Sequence, residues 1–236
     1  MFSAIEPGIR SDCTIGRIGI HIMALSGGRS IRSGERSFLR RSSDTTNMSS
    51  LNFSDRTPCI GFIESSSIAR GIEATDAMMK MAEVELLMTA IIPRGKYLIM
   101  VGGLVADVEA ALAAGLSTAG DSVLDQFIIQ NVHPELPPAI KGRVKVDRVE
   151  AIGIIETKEV ASAIYAGDAA VKSANIRLIE ARNQPGGKGL VVLTGEVGAV
   201  RTAVAAGVAS IRKDGMLISQ VVIPYAHEAL LKSLTA

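Results

Sequence analysis

From residue 59 onward, apolar and polar positions follow one another in blocks, and the whole succession of blocks occurs twice. Residues 59–63 form a short apolar run that ends at Glu64, the pattern of a buried strand. The hydroxyls of Ser65 to Ser67 suit the unpaired amides of a helix's first turn, and a stripe of Ile68, Ile72, Thr75, Met79 and Ala82 then predicts an amphipathic helix. Residues 84–92 and 96–101 predict a hairpin about Pro93-Arg94-Gly95. A second helix over 105–119 presents Val105, Val108, Leu112 and Gly115 on one face, and a strand over 123–129 closes the unit. The order then recurs: strand 151–155, a helix starting at Thr157 with a stripe of Val160, Ile164, Gly167, Val171 and Ala174, a hairpin of 176–182 and 188–193 about Pro185-Gly186-Gly187, helix 197–211 and strand 216–223.

The two successions align residue by residue. At a constant offset of 92, Ile60 falls on Ile152, Glu64 on Glu156, Asp76 on Asp168, Lys80 on Lys172 and Lys96 on Lys188. An insertion near 211–214 raises the offset to 94, so that His133 falls on His227. The chain is thus two covalently joined copies of one small domain. Residues 59–136 form the first, 137–150 a linker and 151–236 the second. Each is expected to be α+β, an antiparallel sheet with its helices on one face. Residues 1–58 are rich in Ser and Arg and lack Lys, the composition of a disordered extension, and Met48 within them is a candidate translation start.

Composition removes several functions. The formal net charge is +1, with no basic patch, which argues against a general nucleic-acid binder. Trp is absent and only five Phe and three Tyr occur, so no aromatic-rich cleft is expected. The two cysteines, Cys13 and Cys59, stand at no metal-ligand spacing. No apolar run reaches the ~18 residues of a membrane-spanning helix. Asp76, Asp168, Glu64 and Glu156 have no His, Ser or Cys nucleophile at motif spacing, and the Gly-rich turns lead into no helix that would cradle phosphate, so no catalytic residue is assigned. The two glutamates read as strand-end hydrogen bonders.

The strings IGFIESSSIARGIEATDAMMKMAEVEL and IGIIETKEVASAIYAGDAAVKSANIRL carry more than a fold class. Each is followed by a Gly-Lys strand, a GLVADVEAALAAG or GEVGAVRTAVAAG helix and a terminal His. Together they resemble the bacterial microcompartment shell domain, in the tandem, unpermuted arrangement of the propanediol-utilisation type. The resemblance implies two ferredoxin-like domains per chain and a homotrimer whose six domains imitate a hexagon. It further implies tiling with other shell proteins around encapsulated enzymes in the bacterial cytoplasm, and a central pore for small metabolites. Pro93, Arg94, Gly95, Pro185, Gly186 and Gly187 would line the pore, where a threefold ring of Arg94 would favour anionic solutes. Lys80, Lys172, His133 and His227 would lie at the shell-edge interface, the histidines as hydrogen bonders and not as metal ligands. Asn131 and Tyr225 stand where the family often has Arg, which implies weaker or partner-specific contacts between tiles. Relatives of this type can hold an iron–sulfur cluster on cysteines of the first-domain turn; Pro93 takes that place here, so no cluster is expected. No nucleic-acid or membrane partner is implied. The rival reading is a trimeric regulatory protein that binds small molecules between its subunits.

Overall fold

In the computed structural model, residues 59–146, 149–212, 215–227, 229–230 and 233 are described. The expected disordered extension, with Cys13 and Met48, lies outside them. The first domain runs β1 (Cys59–Ser65), α1 (Ile68–Met81), β2 (Glu85–Ile92), β3 (Lys96–Gly103), α2 (Val105–Ala119) and β4 (Val123–Gln130). A short α3 (Leu136–Lys141) precedes the second: β5 (Ala151–Thr157), α4 (Val160–Ser173), β6 (Ile176–Asn183), β7 (Gly189–Gly195), α5 (Val197–Ile211) and β8 (Leu217–Pro224). The sheets have orders β2-β3-β1-β4 and β6-β7-β5-β8, with every pair antiparallel, so each domain is a ferredoxin-like unit in unpermuted order. Strand limits agree with the sequence pattern to within two residues, and α2 and α5 coincide with it.

The central strands explain why periodicity alone showed a continuous apolar run. β1 is buried on both faces: Cys59 and Ile63 pack with Val108 and Leu112 of α2, whereas Ile60 and Phe62 point to the opposite side. Small residues let the paired helices approach. A Cβ added at Gly115 would stand 2.6 Å from Cγ of Met78, and one at Gly207 2.8 Å from the carbonyl oxygen of Ala166.

Two expectations need correction. In α1 the buried residues are Gly71, Ala74 and Met78, while Ile72 and Met79 are 54% and 38% exposed. Ile72 and Met79 of the stripe therefore face outward, because the inward face is Gly71, Ala74 and Met78, with Gly71 packed on Tyr97 and Met78 on α2. In α4, ten of the 14 positions are buried, including Val160, Ile164, Gly167 and Val171 of the stripe. The segment expected only to link the domains contains α3, whose Leu136, Ala139 and Ile140 are buried and which packs on β6 and α4. Pro137 and Pro138 both lie in its first turn, where a missing N–H costs nothing. Among the described residues, no helix is long and apolar enough to cross a membrane.

Candidate functional site: the domain seam and its turns

The burial of α4 has a specific cause: one face of it lies against the first domain. The Tyr165 ring stacks on Phe127 of β4, with centroids 4.4 Å apart and planes 13° from parallel. Ser162 donates a short hydrogen bond to the buried carboxylate of Asp125. Asp168 Oδ1 accepts the His133 amide at 3.0 Å, and Lys172 donates to the Gln130 carbonyl at 2.9 Å while pairing with Asp168 at 2.5 Å.

At the other end of the seam, Glu64 caps α4. Its Oε2 accepts the amides of Val160 and Ala161 at 2.7 and 3.0 Å, supplying the cap that the Glu159 side chain does not make. Its Oε1 accepts from Lys96 at 2.9 Å; the same ammonium pairs with Glu159 and donates to the Gly187 carbonyl at 3.0 Å. Burial pushes the Glu64 carboxyl up to about 7, and neighbouring Glu159 adds to the rise while Lys96 opposes it. Burial would lower Lys96, but its bonds to Glu159 and Glu64 outweigh that and leave it raised. Asp125 is pushed up to about 6 by burial, against the hydrogen bond from Ser162.

Lys96 ties this cluster to the two turns expected to line a pore. Pro93-Arg94-Gly95 and Pro185-Gly186-Gly187 come together: a Cβ on Gly187 would fall 2.8 Å from the Pro93 carbonyl oxygen and 3.5 Å from Cδ of Arg94. Arg94 and Gly186, at the same place in the two copies, both have left-handed backbone, with φ of 71° and 90°. Both are exposed.

The expected edge residues do not form one cluster. Lys80 is exposed and pairs with Asp76 at 2.6 Å, whereas Lys172 is drawn into the seam. The imidazoles of His133 and His227 each accept a local amide, from Glu135 at 3.3 Å and Ala229 at 3.2 Å. Among the described residues, no three His, Cys, Asp or Glu side chains are grouped to hold a metal. Sequence reasoning missed Glu159, Asp125, Ser162 and the Phe127–Tyr165 stack. The signal for the capping cluster was present, since Glu64 with Lys96 recurs as Glu156 with Lys188, a pair at 2.7 Å.

One half of this arrangement is unmatched. The α1 residues aligned with the seam face of α4, namely Ile72, Glu73, Asp76, Met79 and Lys80, are exposed. In the β8 strand, aligned with β4, Val221 is 44% exposed, and Tyr225 just beyond its end is 79% exposed. Beside it, a groove of about 320 Å³ runs between α5 and β8, lined by Arg201, Val204, Ala205, Gln220, Val221 and Val222.

Comparison with known proteins accords with this duplicated architecture. The BMC domain matches residues 59–132 and again 151–226. The bacterial microcompartment shell protein PduT of Citrobacter freundii is 42% identical over 177 residues, covering 74% of this chain and 96% of its own length. The bacterial microcompartment shell protein PduA of Salmonella typhimurium strain LT2 is 42% identical over 85 residues, 36% of this chain and 90% of its own. A crystal structure of a microcompartment protein from Desulfitobacterium hafniense superposes with a TM-score of 0.64 at 45% identity, covering 74% of this chain and 98% of that one. With two in-register matches spanning most of its described residues, the chain belongs to the BMC-domain family, the family of these shell proteins.

Proposed function

We propose that this chain is a structural shell protein of a bacterial microcompartment, not an enzyme, and that three copies close into a pseudohexagonal plate with a central pore. The observation that carries the reading is the contrast between the two aligned helices: α4 is covered by the first domain, and α1 bears the same face uncovered. Within one chain, β4 meets α4; a second copy would let β8 meet α1 in the same way, and a threefold rotation leaves no such face bare. Glu156 would then accept the Ile68 and Ala69 amides of the next copy, as Glu64 accepts those of Val160 and Ala161.

Around the threefold axis, three copies of each turn would converge, so that Arg94 recurs three times about one opening and favours small anionic or polar metabolites. Pro93 offers no ligand to iron, and we propose a pore without a cluster. Lys80, Lys172, His133 and His227 would lie where each seam reaches the rim of the plate, along the borders with other shell proteins, and the assembled shell would enclose enzymes in the bacterial cytoplasm. Electron microscopy of the concentrated protein tests the reading: sheets or tubes with a hexagonal repeat are expected. Discrete particles at every concentration, together with saturable binding of a small ligand, would replace it with a regulatory role.

A further inference from the structure

The seam within a chain and the seam between chains carry different residues at matching positions, and the differences are complementary. Tyr165 of α4 aligns with Glu73 of α1, Phe127 of β4 with Val221 of β8, and Glu109 of α2 with Arg201 of α5. Strand register supports the alignment, since Phe127 lies opposite Phe62 and Val221 opposite Ile154, which are themselves aligned. Where the inner seam has one ring stacked on another, the outer one brings a carboxylate over a valine whose groove is also lined by a guanidinium. Arg201 makes no ion pair among the described residues, and Glu73 is occupied only by Arg70 on its own helix, at 2.8 Å and largely exposed.

We propose that Glu73 of one copy docks in the α5–β8 groove of the next and pairs with Arg201, so that an ion pair closes the seam between chains where an aromatic stack closes the seam within one. This rests on the ring reading and adds a pairing rule to it. The matching face of the first domain is covered by α4 of its own chain, and it carries Glu109 where α5 carries Arg201, so like charges would also disfavour Glu73 there. The partner that fits the groove is therefore the α1 face of a second copy, in one orientation.

Sedimentation of the full chain across a range of concentrations tests the rule. Glu73→Arg and Arg201→Glu are each expected to weaken the trimer by at least about tenfold, and the double variant Glu73→Arg with Arg201→Glu to restore it. Circular dichroism checks that each variant remains folded, which is expected because both side chains are at the surface. A trimeric parent whose single variants associate with unchanged affinity, or whose double variant is no better than the singles, overturns the ion pair and leaves the ring intact. A parent that is monomeric overturns the ring itself.

Discussion

Arg94 keeps a side chain where the backbone would prefer none. Its φ of 71° costs a residue with a Cβ about 1 kcal/mol, and the second copy meets the same geometry with Gly186. A strained non-glycine residue exposed on a turn points to a use for the side chain. In shells reconstituted with Arg94→Glu, uptake of an anionic metabolite is expected to fall relative to a neutral one; unchanged uptake would refute a charged pore. The Pro-x-Gly pattern made both turns readable from sequence. The strain at Arg94 was not, because Arg is an ordinary turn residue until its φ is known. Glu159 and Asp125 were equally hidden: each finds its partner, Lys96 or Ser162, only through contact between domains, and local pattern carries no record of that.

Among the elements, α4 shows how a helix can depend on a neighbouring domain for its cap. Glu64 is pushed from its ordinary 4.5 to about 7 and Asp125 from 3.8 to about 6, both by burial at this seam. The folded chain therefore holds protons that the unfolded chain has released, so these groups stabilise most below their ordinary values, and that contribution is lost as pH rises toward 7. Thermal unfolding of the parent is expected to lose on the order of 1–3 kcal/mol from Glu64 between pH 5 and pH 8. In Glu64→Gln, whose amide oxygen can still cap α4, that part of the slope disappears; equal slopes in the two proteins would contradict the assignment. Element order and limits were legible because strand and helix periods differ, and because each pattern occurred twice. The inward face of α1 was not, since Gly71 and Ala74 pack by being small and a hydrophobic stripe does not single them out. The buried α3 was masked by its two prolines.

For the whole molecule, duplication turns one interface into two that can diverge. The seam within the chain carries a half-buried aromatic stack with a buried Glu64–Lys96 pair and Glu159 at its end, while the aligned Glu156 and Lys188 pair at the surface, where the proposed seam between chains would form. The repeat made the count of domains readable, but which faces meet within one chain emerged only from the packing of α4. The mass of the purified chain by sedimentation equilibrium, in dilute solution where plates do not tile, tests ring closure most directly. A single species at three times the chain mass of 24.8 kDa is predicted. A stable species of 24.8 kDa, with the α1 and β8 faces left in water, would contradict it.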